Sequence, residues 1–171
     1  MGKADQKIVP GSYRAVPRTL CFVTHGKDVL LLKNAPDKHA WPNLYDGVGG
    51  HVEADEDVGA AALREIREET GLEVCDLRLR AVINIPVDEG EGENVGILIF
   101  VFTAVAVTRE TRPSSEGTPE WVSCERLGEL ALVEDLPMLL PRVLGMGPGG
   151  RPFFAHYRYD EQDRLVMAFT D

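Results

Sequence analysis

Three glutamates lie close together in a segment whose apolar residues recur with helical spacing. Glu65, Glu68 and Glu69 are spaced i, i+3 and i+4. At about 100° per residue, Glu68 and Glu69 each lie within roughly 60° of Glu65, one on either side. The three carboxylates therefore share one helix face, where like charges cost a few tenths of a kcal/mol per pair. Neighbouring arginines offset part of this cost, and a bound divalent cation would offset it directly.

A double glycine precedes this helix. Mg²⁺ takes oxygen ligands and shares its coordination shell with substrate phosphates and water. Gly49 and Gly50 stand at the end of a short strand, where residues without a Cβ let the backbone approach a ligand closely. Their carbonyl groups are further hard oxygen donors. From the residues alone, two interpretations stay open: a divalent-metal site made by the helix and the glycine pair, or an ordinary solvated acidic helix face.

Apolar periodicity predicts the elements that hold these groups in place. Helical spacing indicates a helix over 58–70, with Gly71 in the position after its end, where positive φ is favoured. A second helix is predicted over 135–144, with a kink or break at Pro141. Strands are predicted over 19–24 and 29–33 as a hairpin, over 44–52, 77–85, 95–107 and 120–123, and over 153–159 and 165–169 as a terminal hairpin.

This order of elements predicts an α/β protein with a mixed sheet flanked by helices. The chain has 171 residues, which corresponds to roughly one domain. We expect an irregular lead-in over 1–16 and a domain over 17–145. A connector and the C-terminal hairpin, 146–171, are expected to pack on the same domain, either closing the sheet or forming a dimer contact.

Charge and composition limit the partners. Lys and Arg number 18 against 28 Asp and Glu, a formal charge of −10, which argues against binding a nucleic-acid polymer. The N-terminal segment has no apolar stretch typical of a secretory leader, and the longest apolar run is too short to span a bilayer. The three cysteines lack metal-binding spacing and are expected to be reduced. We therefore expect a cytoplasmic protein without a membrane partner.

The helix and its flanks resemble a known family. Gly50, Glu56 and the run Arg64-Glu65-Ile66-Arg67-Glu68-Glu69-Thr70-Gly71-Leu72 match the Nudix box, G-x5-E-x7-R-E-U-x-E-E-x-G-U, at every defined position. From ordinary residue frequencies, a chance match is on the order of 10⁻⁶ or less. The sequence is therefore identified as a member of the Nudix family.

The resemblance implies an α/β/α sandwich and Mg²⁺- or Mn²⁺-dependent hydrolysis of a nucleoside diphosphate linked to another moiety. Arg64 would orient the glutamates, and Glu56 would mainly brace the loop and helix. The general base stays open among Glu65, Glu68 and a loop glutamate. The resemblance assigns the metal to Glu65, Glu68, Glu69 and the Gly49 carbonyl.

Residues outside the box resemble the MutT-type subgroup. Glu116 matches a segment that supplies a further metal-binding glutamate there, with a plain surface glutamate as the alternative. Three glutamates of the preceding acidic loop compete for that role: Glu89, Glu91 and Glu93. By the same resemblance, Lys33 would meet the phosphate chain, unless it is an ordinary surface lysine; Lys38 and His39 are weaker candidates.

Base recognition would fall to Asp46 and Asp135, at positions resembling those that read the purine in nucleotide-sanitising members. For Asp135, the alternative is an N-cap. Trp41 and Tyr45 could stack on a base, but we expect them to pack under the sheet.

The function favoured by the resemblance is a nucleoside triphosphate diphosphatase, with 8-oxo-dGTP as a candidate, that gives a nucleoside monophosphate and pyrophosphate. The alternatives are ADP-ribose, nucleotide sugars or dinucleotide polyphosphates as substrates. A third alternative is a non-catalytic nucleotide-binding regulator. A monomer or a homodimer is expected.

Overall fold

The computed structural model describes residues 9–87 and 94–170. Within these ranges the chain forms one eight-stranded sheet and two α-helices. The strands are β1 (Arg14–His25), β2 (Asp28–Asn34), β3 (Tyr45–Asp46), β4 (Val74–Val87), β5 (Val95–Ala106), β6 (Gly117–Ser123), β7 (Phe153–Tyr159) and β8 (Leu165–Thr170). The helices are α1 (Val58–Thr70) and α2 (Leu136–Leu144), with a 3-10 turn at Cys124–Glu129.

The sheet is mixed, as the sequence predicts. Its strand order is β3-β2-β1-β5-β4-β7-β8, and β6 pairs with β2. Two of the pairings, β1 with β5 and β4 with β7, are parallel, and the others are antiparallel. The predicted terminal hairpin is confirmed: β7 pairs with β8 and joins the sheet at β4, so that it extends the sheet.

Two hydrophobic layers cover the sheet, one on each face. Successive residues of β1 point to opposite faces, so Cys21 and Val23 pack with α1, whereas Phe22 packs with α2. The first layer includes Ala62 and Ile66 of α1. The predicted α/β/α sandwich is therefore confirmed.

Helix α1 has well-defined ends. The Asp57 side chain accepts hydrogen bonds from the backbone N–H groups of Gly59 and Ala60, at 2.8 and 2.9 Å. Gly71 follows the helix with φ of 76°, and its N–H donates to the Arg67 carbonyl. The predicted bounds of this helix are confirmed.

Other predicted bounds need correction. Strand β1 begins at Arg14, inside the predicted lead-in, because its first residues pair with β5. The predicted strand over 44–52 contains only Tyr45–Asp46 and isolated bridges at Val48 and His51. Helix α2 has Pro141 inside it and continues to Leu144, so of the predicted kink or break the break does not occur.

Two further expectations concern cysteines and membranes. All three cysteines are free. Neither helix in the described ranges has the length and apolar character needed to cross a membrane.

Candidate active site

The glycine pair lies directly against the glutamate face of α1. Glu69 is only 5 % exposed, and its Oε2 accepts a hydrogen bond from the Gly49 N–H at 3.1 Å. A Cβ at Gly49 would overlap the Thr19 carbonyl, and a Cβ at Gly50 would overlap the Glu65 carboxylate. Glycine is therefore required at position 49, where the obstacle is backbone, whereas a Cβ at position 50 would displace the Glu65 side chain.

Arg64 connects the glutamates to this loop. Its guanidinium holds Glu56 through two hydrogen bonds, of 2.6 and 3.1 Å, and donates to the His51 carbonyl at 2.9 Å. One nitrogen, Nη1, donates to Glu65 at 2.8 Å and to Glu68 at 3.2 Å. These bonds raise the pKa of Arg64 and lower the pKa of Glu56. The predicted orienting and bracing residues therefore form one network with two of the predicted metal ligands.

Glu69 lies outside the Arg64 network. Burial raises its pKa to about 8; the Gly49 hydrogen bond opposes that rise, and the charge of Glu65 adds to it. A buried carboxylate of this kind is a group that a cation would favour in its charged form.

The donor chemistry of this cluster fits Mg²⁺ or Mn²⁺. Carboxylates and a backbone carbonyl are hard oxygen ligands, which both ions prefer. In the described part of the chain, however, no three His, Cys, Asp or Glu side chains converge closely enough to hold a metal ion. Glu65 and Glu68 are instead bonded to Arg64, while Glu68 keeps 60 % of its side chain exposed. The residues therefore fit the ion by type, and the carboxylates of Glu65 and Glu68 are engaged by Arg64.

Glu116 lies at the same cavity as the α1 glutamates. Its carboxylate forms an ion pair of 3.1 Å with Lys38, which also donates to the Asn34 side chain. The charge of Glu116 contributes to the raised pKa of Glu69. The competing glutamates Glu89, Glu91 and Glu93 lie outside the described residues.

A cavity of about 1280 Å³ joins the glutamate cluster to the α2 face of the sheet. Glu65, Glu68 and Glu69 contribute to its wall, as do Asp46 and Asp135. Aliphatic side chains cover much of the rest: Leu20, Leu32, Ile85, Ile97, Ile99, Val133 and Leu165. A substrate that reaches the glutamates therefore also meets two carboxylates and an apolar surface.

Asp46 and Asp135 are both half-buried in this cavity. Burial raises the pKa of each to about 6, and the charge of Asp46 contributes to the shift of Asp135. Asp46 accepts a hydrogen bond of 2.7 Å from the Gly47 N–H. Asp135 precedes α2, but its side chain makes no capping hydrogen bond there. Asp135 therefore occupies the N-cap position of α2, as the alternative has it, but its side chain does not cap the helix.

Of the lysines predicted to contact the phosphates, Lys38 lines the cavity and Lys33 does not. Lys33 is exposed, lies 5.6 Å from the centroid of the Tyr45 ring, and is absent from the described wall of the cavity. Lys38, the weaker candidate, does line it.

Trp41 is 45 % exposed and also lines the cavity, so the expectation that it packs under the sheet is wrong.

The cavity wall also includes residues that the sequence pattern does not single out as site residues. They come from the terminal hairpin: Tyr157, Arg158, Tyr159, Asp163 and Leu165. Alternation along β7 makes Phe153, Ala155 and Tyr157 face inward, a pattern visible in the sequence. The parallel pairing of β7 with β4, which brings Tyr157 to the cavity, has no short-range signature.

Comparison with known proteins agrees with this geometry. Residues 14–143 match the NUDIX domain family. The chain is 25 % identical to the MutT protein of Bacillus halodurans, with a TM-score of 0.74 over 90 % of this chain and 97 % of that one. It also shares the fold of the NUDIX domain of Shewanella oneidensis NrtR complexed with ADP ribose, at 17 % identity and a TM-score of 0.63 over 85 % and 98 % of the two chains.

The sequence similarity to curated relatives covers a shorter segment of the chain. NAD-capped RNA hydrolase NudC of Pseudomonas aeruginosa is 37 % identical over 73 residues, which are 43 % of this chain and 25 % of that protein. The chain thus spans a quarter of that relative's length. Because the family match covers most of the sandwich as well as the box, the chain belongs to the Nudix family.

Proposed function

We propose that this protein is a metal-dependent hydrolase of the MutT-like subgroup. It would cleave a purine nucleoside triphosphate, with 8-oxo-dGTP as the leading candidate, into the nucleoside monophosphate and pyrophosphate. The observation that carries this proposal is the single cavity lined both by the Nudix glutamates and by Asp46 and Asp135.

Glu65, Glu68, Glu69 and the Gly49 carbonyl would hold Mg²⁺ or Mn²⁺, with Glu116 as a further ligand. Such an ion lowers the pKa of bound water and neutralises phosphate charge. Arg64 keeps two of the carboxylates in place through its hydrogen bonds at 2.8 and 3.2 Å. The proton of the attacking water would pass to a carboxylate that does not coordinate the ion. The candidates for this general base are Glu65, Glu68 and Glu116.

At the other part of the cavity, the two aspartates would recognise the base. Ionised carboxylates only accept hydrogen bonds, so they select a base edge that carries N–H donors. The aliphatic wall, which includes Leu20, Ile99 and Val133, would contact the ring faces. Lys38 is the cation of the described wall nearest Glu116 and would contact the phosphates.

A panel of nucleotides tests the proposal. We would measure products from dGTP, 8-oxo-dGTP, dATP, dCTP, ADP-ribose and a diadenosine polyphosphate, each with Mg²⁺ and with EDTA. We expect pyrophosphate and a nucleoside monophosphate from a purine triphosphate, with Mg²⁺ only. If only ADP-ribose or the dinucleotide is turned over, the proposed substrate is wrong. If no nucleotide is turned over with Mg²⁺, the proposed activity is wrong.

One observation favours a second substrate class. The cavity, at about 1280 Å³, exceeds the roughly 300–1,000 Å³ typical of small-molecule sites. Trp41 offers an exposed ring on its wall. ADP-ribose, a nucleotide sugar or a dinucleotide polyphosphate would use this extra room, with the second moiety against Trp41.

A further inference from the structure

Tyr157 carries a hydroxyl group for which the fold provides no partner. The residue is 1 % exposed, in the inward-facing row of β7. Its hydroxyl oxygen is buried and makes no hydrogen bond within residues 9–87 and 94–170. A buried polar group without a partner costs free energy that a phenylalanine would avoid. The hydroxyl therefore needs a reason other than stability.

Packing explains the ring alone. Tyr157 meets Phe169 edge to face, with centroids 6.1 Å apart and an interplanar angle of 79°. It belongs to the core cluster of the α2 face, together with Phe153 and Ala155 of the same strand. Phenylalanine would make the same ring contacts, so these contacts do not account for the oxygen.

The Tyr157 side chain borders the cavity. Tyr157 lines it together with Asp46, Asp135 and the aliphatic wall. Burial, with the charge of Asp135, raises the pKa of Tyr157, so that the hydroxyl keeps its proton at neutral pH. Among these three polar groups, only the tyrosine has a proton to donate when both aspartates are ionised.

We propose that the Tyr157 hydroxyl is a specificity-determining donor that recognises a carbonyl oxygen on the bound base. Two acceptors and one donor on the protein complement an edge that carries one acceptor and two donors. A 6-oxopurine with a 2-amino group presents that edge: the O6 carbonyl, the N1–H and the exocyclic amine. A 6-aminopurine presents an amine and an unprotonated ring nitrogen instead, and would be rejected. This inference rests on the proposed function, because it assigns the base to the same cavity.

The test compares wild type with Tyr157→Phe by calorimetry in EDTA, using GMP, AMP and ribose 5-phosphate. We expect wild type to bind GMP more tightly than AMP. The variant should lose about three- to tenfold in GMP affinity, the effect of one neutral hydrogen bond, with ribose 5-phosphate unchanged. Its melting temperature without ligand should not fall, because no partner of the hydroxyl is lost.

Tyr13→Phe is the matched control. The Tyr13 hydroxyl donates to the Asn84 side chain at 2.6 Å and Tyr13 is not part of the described cavity wall. This variant should leave GMP affinity unchanged. Equal GMP affinity of Tyr157→Phe and wild type would overturn the inference, as would an equal loss for ribose 5-phosphate or the absence of any preference for GMP.

Failure of the proposed function is distinguishable from failure of this inference. Metal-dependent turnover by wild type tests the former, whereas the EDTA binding series contains no metal and no reaction. If the protein discriminates GMP through Tyr157 but hydrolyses no nucleotide, the role of Tyr157 in base recognition is supported and the proposed hydrolase activity is contradicted.

Discussion

A single guanidinium, that of Arg64, holds four different acceptors at the candidate metal site. It contacts the carboxylates of Glu56, Glu65 and Glu68 and the carbonyl of His51. Only a planar fork of donors can reach groups in so many directions, whereas a lysine is a point charge on a flexible stem. Positioning of the glutamates therefore depends on this residue being arginine.

Replacing Arg64 by lysine should lower kcat/KM for the substrate by about 10- to 100-fold, the usual effect of losing a group that orients metal ligands. The measurement is the steady-state rate over a Mg²⁺ titration. Arg67→Lys is the control, because Arg67 lies on the same helix but pairs with exposed Glu73, which follows the end of α1. Equal effects of the two variants would contradict the orienting role.

The two cavity aspartates oppose folding at neutral pH. Burial raises the pKa of Asp135 to about 6, from an ordinary value near 3.8. The folded state therefore binds protons more readily than the unfolded state between about pH 4 and 6, and stability falls as pH rises through this window. Above it, the cost of the buried charge is fully present.

Asp135→Asn should accordingly raise the free energy of unfolding at pH 7.5 by about 1–3 kcal/mol. The gain should vanish near pH 3, where the carboxyl group is mostly protonated in both the folded and the unfolded state. Denaturant unfolding at the two pH values measures it, with exposed Asp55→Asn as control. A gain of the same size at both pH values would contradict the electrostatic cause.

At the scale of elements, the glycine loop and α1 act as one unit. The loop passes so near the helix that a Cβ at Gly50 would overlap the Glu65 carboxylate. The Glu65 side chain is able to move out of the way of this Cβ. Such a movement would take its carboxylate away from the Arg64 guanidinium, which donates to it at 2.8 Å. Function is therefore more sensitive than stability at this position.

Gly50→Ala should reduce turnover at least tenfold while lowering stability by only about 1–3 kcal/mol. Initial rates and thermal unfolding measure the two effects. Gly128→Ala is the control, because nothing lies within 4 Å of the position its Cβ would take. Unchanged turnover of Gly50→Ala would show that the close approach has no catalytic role.

Elements fixed by local chemistry were predictable, and elements fixed by distant pairing were not. The bounds of α1 follow from apolar spacing, the Asp57 cap and Gly71. The start of β1 at Arg14 depends on residues of β5 some eighty positions away. Likewise, Tyr157 reaches the cavity only because β7 pairs in parallel with β4.

The same division applies to the candidate site. The box predicts that Glu56, Arg64, Glu65 and Glu69 lie together, because they share a helix and its loop. Whether Lys33 or Lys38 faces the cavity depends on how the segment after β2 folds back, which residue types alone do not reveal. Lys38 lines the cavity, where it forms an ion pair with Glu116.

The whole molecule combines a strongly negative charge with a site for an anionic substrate. Its formal charge is −10, so phosphate groups meet overall repulsion. A divalent cation between the carboxylates and the phosphates removes that conflict locally. Metal dependence is thus expected from the charge of the protein as well as from its helix.

We propose that the α1 carboxylates act on a nucleotide bound in the cavity that joins them to Asp46 and Asp135. The most direct measurement is pyrophosphate release from 8-oxo-dGTP and dGTP by wild type and Glu69→Gln, with Mg²⁺ and with EDTA. We predict Mg²⁺-dependent release by wild type and a loss of at least 100-fold in the variant, which keeps its fold because glutamine still accepts from the Gly49 N–H. Full turnover by folded Glu69→Gln would contradict a catalytic role for this carboxylate.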